Sequence, residues 1–283
     1  MFSMINELLT IKPRDYKSDI KPIWCTGCGH FSVLNAITKA AAACGLAKDD
    51  TVLVSGIGCS SRLPAYIDSY GFHGVHGRGL AVAQGLKVAR PDLTVIAIGG
   101  DGDGFFIGGN HFMHACRRNV NITYIAMDNE VYGMTKGQAS PTSPRDWTGS
   151  KLTPHGPGAR PFKPAAMALA SGAPWIARGY SGNSNQIARL LAEALAFPGF
   201  SFLHVLSQCI TFCPQQTDWK AIVTDFEQEP LSRADEAAAL LLSEDGFKTG
   251  LLYYEPRSIW PSEAAPTENA KLVLDDLASA YQR

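Results

Sequence analysis

Glycine and carboxylate alternate at Gly99-Gly100-Asp101-Gly102-Asp103-Gly104, directly after the apolar, β-branched run Thr94 to Ile98. That puts them at the carboxyl end of an expected strand, where open α/β sheets hold their ligands. Glycine lets a backbone approach a diphosphate closely, and a helix opening near Phe105 aims free N–H groups at such an anion. One strand-helix-strand unit later, the run Ile122 to Met127 ends at Asp128-Asn129-Glu130-Val131-Tyr132-Gly133. Mg²⁺ wants about six oxygens and takes only a few from protein when phosphate supplies the rest. The Asp101 carboxylate, the Asn129 amide oxygen and the Val131 carbonyl answer that need. Alone, a Gly-rich turn is weak evidence, and Asp101 as a plain helix cap is the ordinary alternative. The paired spacing favours a metal-diphosphate site. A dinucleotide fingerprint ranks lower, because the glycine spacing after Gly102 is wrong for it and an acidic residue sits in its middle.

Thiol chemistry forms a second group. Trp24-Cys25-Thr26-Gly27-Cys28-Gly29-His30 is a Cys-x-x-Cys turn that two glycines make flexible, suited to wrapping two thiolates onto one centre. Cys59, within Gly56-Ile57-Gly58-Cys59-Ser60, follows the expected strand Thr51 to Ser55, and Cys209 follows Ser201 to Leu206. Four thiols are thus expected on the sheet edge that carries the diphosphate site. Four cysteines are the ligand set of either Zn²⁺ or a [4Fe-4S] cluster, and the residues leave that choice open. Cys213 lies four positions beyond Cys209 and rivals it as the fourth ligand. Cys44, in an alanine-rich helix, reads as a core thiol, and Cys116, before two arginines, as a helix-surface thiol.

The elements that must position these groups alternate. Short β-branched runs at Thr51 to Ser55, Thr94 to Ile98, Ile122 to Met127, Trp175 to Ala177 and Ser201 to Leu206 read as buried strands. Helix-compatible stretches lie between them at Phe31 to Ala43, Gly79 to Arg90, Phe105 to Arg117, Ala165 to Ser171 and Ser184 to Ala196. This order predicts an α/β fold: a mostly parallel sheet with helices on both faces, plus an irregular C-terminal tail. Residues 1–21 read as an N-terminal extension, 22–214 as the ligand-binding domain and 215–283 as an acidic tail for subunit contact or solvent. The Pro-, Gly- and Ser-rich stretch from Ser140 to Pro164 reads as a long surface loop near the site or an interface. The 283 residues, 46% of them hydrophobic, suffice for a large core. With 25 basic and 26 acidic residues there is no global field to draw nucleic acid or anionic lipid. No apolar run reaches the ~20 residues of a membrane span. A cytoplasmic setting is expected, where seven cysteines stay reduced rather than paired.

Gly100-Asp101-Gly102 with Asn129 one crossover later resembles the thiamine-diphosphate motif, which implies Asp101, Asn129 and Val131 as Mg²⁺ ligands. With Trp24-Cys25-x-Gly27-Cys28-Gly29, Ser55-Gly56-Ile57-Gly58-Cys59-Ser60, His76-Gly77-Arg78 and Asp128-Asn129-x-x-Tyr132-Gly133-x-Thr135-Lys136-Gly137-Gln138, the chain resembles the β subunits of 2-oxoacid:ferredoxin oxidoreductases over most of residues 22 to 213. The resemblance implies Cys25, Cys28, Cys59 and Cys209 as [4Fe-4S] ligands. It also implies Ile57, Gly58, Cys59, Ser60, His76, Gly102, Asp103, Gly133 and Met134 around thiamine diphosphate. The family's usual Pro between the paired cysteines is Thr26 here, which implies a looser turn. Only the matched His-Gly-Arg context lifts His76 above an ordinary structural histidine; His30, His73, His111, His114, His155 and His204 stay background.

Such an enzyme decarboxylates a 2-oxoacid oxidatively, completes an acyl-CoA with coenzyme A and passes electrons to ferredoxin; the reverse, reductive carboxylation, belongs to the same chemistry. No motif here supplies the carboxylate that activates thiamine, so the resemblance implies an α subunit and a dimer of αβ pairs. Arg62 and Lys136 are expected to face the cleft and grip a distal carboxylate, and Ser60-Ser61-Arg62-Leu63-Pro64 resembles the 2-oxoglutarate-specific members. Pyruvate or a broad range is the alternative substrate. A non-redox thiamine enzyme, or a scaffold subunit, with structural zinc is the alternative function.

Overall fold

The computed structural model describes residues 11–261. Chain order runs α1 (His30–Cys44), β1 (Thr51–Ser55), β2 (Tyr70–His73), α2 (Gly79–Ala89), β3 (Thr94–Gly100), α3 (Gly109–Arg118), β4 (Thr123–Asp128), β5 (Val131–Tyr132) and β6 (Gln138–Ala139). It continues through α4 (Pro164–Ala170), β7 (Trp175–Tyr180), α5 (Ser184–Ala196), β8 (Ser201–Leu206), α6 (Trp219–Ile222), β9 (Thr224–Asp225), α7 (Ala234–Ser243) and β10 (Lys248–Tyr254). Eight strands form one sheet in the order β2-β1-β3-β4-β8-β7-β10-β9, and β5 with β6 makes a separate two-stranded ribbon. From β2 to β7 every pair is parallel; β10 closes against β7 antiparallel. The expected α/β class is what the chain adopts.

Alternation along each strand explains the two-faced core. Val95 and Ala97 of β3 and Tyr124 and Ala126 of β4 face α2, α3, α4 and α7, while Ile96, Ile98, Ile125 and Met127 face α1 and α5. Phe112, Phe200 and Phe202 are fully buried, each worth roughly 1.5–3 kcal/mol relative to exposure. Local signals set the ends. Gly45 takes the left-handed conformation that stops α1, and the Asn183 side chain accepts from Gln186 N to cap α5.

Several expectations are refined. The stretch Phe105 to Arg117 is not one helix: a wide π-type turn at Gly102–Ile107 precedes α3. Cys44 is exposed because it is the last residue of α1, and Cys116 is fully buried because it shares the inner stripe of α3 with Phe112. These two thiols therefore exchange the places expected for them. The alternation also continues past Cys213: β10 extends the main sheet, pairing Gly250 with Arg178, and α7 covers one face. The rest of the expected tail, 262–283, and residues 1–10 lie outside the described region. Of the extension, Tyr16 is buried, its hydroxyl donating to Leu46 O at 2.7 Å.

Candidate thiamine and thiolate site

Because β1, β3, β4 and β8 are parallel neighbours, the loops that follow them open on one edge. A cleft lies there, lined by Ile57, Gly58, Cys59, Ser60, His76, Asp101, Gly102, Asp103, Asn129, Val131, Gly133 and Met134, and also by His30 and Tyr132. All nine residues that the resemblance placed around a thiamine cofactor are on its wall, and so are Asp101, Asn129 and Val131.

Each loop is held in place. Tyr132 packs on Gly102 so closely that a Cβ there would sit 2.1 Å from its ring, and its hydroxyl donates to Gly102 O. The Asn129 amide oxygen accepts from Val131 N at 3.3 Å, and its backbone oxygen accepts from Gln216 Nε2 at 2.8 Å. Gln216 Oε1 accepts from Cys209 N at 2.7 Å, so one buried glutamine joins the β4 loop to the β8 loop. Asp103 joins three loops: its Oδ1 accepts from Ile57 N at 2.9 Å and Gly77 N at 2.6 Å. His76 Nδ1 stands 3.2 Å from the same oxygen but off the line a hydrogen bond needs, and is left without a partner.

The thiols gather beside the cleft. A Cβ on Gly133 would stand 3.6 Å from Cys59 Sγ and 3.8 Å from Cys209 Sγ. Trp24 Nε1 donates to Cys59 O at 2.7 Å, and Gly29 N donates to Gln208 O at 2.9 Å, so the Cys25–Cys28 turn lies between the other two. Burial, then the neighbouring thiols Cys209, Cys59 and Cys25, push Cys28 up to about 12. Burial foremost, with Cys209 and Cys25 adding, also raises Cys59, which Arg62 partly offsets. Cys213 is different: burial raises it to about 12, and its charged neighbours are Cys209, Glu130 and Asp101. It packs with Val131 and Trp147, against Cys209 and Phe212.

Electrostatics at the other end of the cleft is acidic. Burial, then the Asp128 charge, lifts Asp101 far above the usual carboxylate range, and burial lifts Glu130 to about 8. Among the described residues, no three His, Cys, Asp or Glu side chains are grouped tightly enough to hold a single ion by themselves.

Two expected residues are not on the cleft wall. The Arg62 Nε donates to Tyr66 OH at 3.3 Å, although the guanidinium is near enough to Cys59 to lower its thiol. Lys136 is exposed, at φ +82°, and lines a separate hollow with Lys151 and Phe212. Other residues were passed over. His30 lines the cleft with Nδ1 2.7 Å from Ser207 Oγ. The expected surface loop turns Ser140, Thr142 and Ser143 inward, and Thr142 Oγ1 reaches both Asp128, at 2.7 Å, and Asp101, at 3.1 Å. Three hydroxyls punctuated by Pro141 and Pro144, just after the Asn129 loop, were the available signal.

The chain is similar to known thiamine enzymes. Residues 56–205 match the family of thiamine pyrophosphate enzymes, C-terminal TPP-binding domain. The chain is 44% identical to the 2-oxoglutarate synthase subunit KorB of Archaeoglobus fulgidus, over 67% of this chain and 70% of that one. It is 38% identical to the 2-oxoacid:ferredoxin oxidoreductase 2 subunit beta of Aeropyrum pernix, over 85% and 82%. It is also 43% identical to the 2-oxoglutarate oxidoreductase subunit KorB of Mycobacterium tuberculosis, where the match covers 71% of this chain but only about half, 54%, of the relative. Among solved structures, the 2-oxoglutarate:ferredoxin oxidoreductase of Magnetococcus marinus, with 2-oxoglutarate, coenzyme A and succinyl-CoA bound, superposes with a TM-score of 0.86 at 39% identity, covering 95% of this chain and 97% of that one. No helix among the described residues is long and apolar enough to cross a membrane.

Proposed function

Since this chain belongs to the thiamine-diphosphate-binding β subunits of the 2-oxoacid:ferredoxin oxidoreductases, we propose that it carries the cofactor half of a 2-oxoglutarate synthase. The reaction is oxidative decarboxylation of 2-oxoglutarate with coenzyme A to succinyl-CoA and CO₂, with ferredoxin as electron acceptor, and it runs in reverse as reductive carboxylation. One observation supports this reading: thiols after β1 and β8 and the Asp101 and Asn129 loops after β3 and β4 share one sheet edge, tied by Gln216.

The residues present suit the groups proposed for them. Asp101, Asn129 and Val131 would hold Mg²⁺, whose charge offsets the cost of burying Asp101 beside Asp128. Ile57, Gly58, Ser60, His76, Gly102, Gly133 and Met134 would wall the thiamine, while Asp103 spends its carboxylate on the loops themselves. Cys25, Cys28, Cys59 and Cys209 would hold a [4Fe-4S] cluster. When bound, these groups supply decarboxylation at the keto carbon and one-electron acceptance, which zinc cannot give. The chain's own contribution is to keep the two sites adjacent and to pin His30 and Tyr132 on the wall. Arg62, beside Cys59, is the residue for a distal carboxylate; the outward Lys136 has no comparable support. An α subunit completes the site in an αβ dimer of pairs, in the cytoplasm.

Anaerobic purification of the full chain with its partner subunit tests the reading. About four iron and four sulfide per chain, in brown protein bleached by dithionite, are expected. Colourless protein with stoichiometric zinc would replace it with a non-redox thiamine enzyme or a scaffold. Arg62→Ala should lower turnover of 2-oxoglutarate far more than of pyruvate; equal losses would remove Arg62 from substrate choice.

A further inference from the structure

Behind the cleft, buried polar groups stand in single file. Arg178 of β7 and His204 of β8 are register partners, and Arg178 Nε lies 3.2 Å from His204 Nδ1. A guanidinium Nε always carries hydrogen, so Nδ1 accepts and the imidazole proton must sit on Nε2. Nε2 then donates to Asp128 Oδ2 at 2.9 Å. The other Asp128 oxygen accepts from Glu130 N at 3.0 Å and from Thr142 Oγ1 at 2.7 Å. Thr142 Oγ1 also stands 3.1 Å from Asp101 Oδ2, and its one proton serves whichever of the two carboxylates the hydroxyl turns towards. Thr142 is therefore the link through which the Asp128 network reaches Asp101, to which Ser140 also hydrogen-bonds. At the far end, Arg178 Nη1 is fixed by Glu244, 2.8 Å away, and by Lys248 O. Arg178, His204, Asp128 and Asp101 are each 3% exposed, and all but Asp101 also line a separate cavity together with Thr142 and Glu244.

We propose that Arg178, His204, Asp128 and Thr142 form a positioning chain that sets the orientation of Asp101 and through it the affinity for Mg²⁺. This rests on Asp101 being a metal ligand. The residues touch no substrate; they act through Asp101.

The test is a calorimetric Mg²⁺ titration, with thiamine diphosphate present, of the full chain in its native complex. Thr142→Val, which keeps shape and removes the hydroxyl, should weaken Mg²⁺ binding about 10- to 100-fold, the range for partners that orient metal ligands. Thr142→Ser should recover most of it, and excess Mg²⁺ should restore thiamine diphosphate binding to Thr142→Val. His204→Phe should weaken Mg²⁺ similarly, and the double variant should be little worse than either single one, because both cut one chain. Wild-type affinity in Thr142→Val, fully additive losses, or a loss that Thr142→Ser does not recover would overturn the proposal. Should His204→Phe fail to fold, the Thr142 pair decides by itself. Wild-type protein that binds thiamine diphosphate without any Mg²⁺ dependence would instead remove Asp101 as a ligand and the parent reading with it.

Discussion

Asp103 is where a cofactor-contact role and a loop-holding role predict different numbers. Its Oδ1 receives Ile57 N at 2.9 Å and Gly77 N at 2.6 Å, joining the loops after β1, β2 and β3, and the side chain is 5% exposed. Asp103→Ala leaves two backbone donors without an acceptor where water has little access. At about 1–3 kcal/mol for each unmade bond, the loss should be about 2–6 kcal/mol. Asp103→Asn keeps an oxygen in place for both donors and gives up only the charge, so it should cost about 1 kcal/mol. Burial already raises this carboxyl, with the two N–H groups pulling it back, so the charge itself is a small part of what the group contributes. Urea unfolding of the two variants measures the difference, and thiamine diphosphate titration should show a loss of affinity that follows the same order. If Asp103→Ala unfolds within 0.5 kcal/mol of wild type, taking roughly the noise of surface substitutions as the threshold, or if Asp103→Asn loses as much as Asp103→Ala, the loop-clamp account is wrong.

Three further outcomes are expected. Glu244→Ala strips the carboxylate from Arg178, with both side chains 3–4% exposed, and should lower stability in denaturant by about 3–5 kcal/mol; a loss under about 1 kcal/mol would mean Lys248 O and His204 hold the cation unaided. Burial lowers the His30 imidazole to about 4, so the neutral ring is the one that folds. Its contribution is complete above the unfolded value near 6.5 and is lost as pH falls towards 4, about 3 kcal/mol in all, and His30→Gln should flatten that part of the stability–pH curve. Gly102→Ala should displace Tyr132 and weaken thiamine diphosphate binding, whereas Gly85→Ala, at an exposed position of α2 where a Cβ meets nothing within 4 Å, should stabilise by about 0.5–1 kcal/mol; equal effects of the two on binding would show that the Tyr132 contact is unimportant.

What was legible follows from which forces are local. Thr51–Ser55 and Ser201–Leu206 were visible to the residue because strands buried on both faces of a parallel sheet are nearly continuously apolar. β2 was not, since Tyr70 and Phe72 are exposed at the sheet edge and carry no burial pattern. β10 was missed for another reason: its partner β7 lies about 70 residues earlier, and antiparallel closure is a property of the pair. The cleft residues were legible because a parallel sheet puts every strand's carboxyl end on one edge, so motifs at strand ends must meet. Gln216 was not, because its contacts with Cys209 and Asn129 exist only once the chain has folded back.

The buried chain behind Asp101 is an instructive middle case. Arg178 and His204 sit inside Trp175–Tyr180 and Ser201–Leu206, strands whose every residue is buried. Leaving either polar head unpaired there would cost several kcal/mol, so each must meet a partner, and the partner of a buried arginine has to include an acceptor. Both residues stand near strand centres while the reactive motifs stand at strand ends, and the acceptors they meet are β4's last residue Asp128, Glu244 just after α7 and the Lys248 carbonyl of β10. The sequence therefore contained the demand for a buried polar network. Only folding could show that its inner end is Thr142, and that it stops against Asp101.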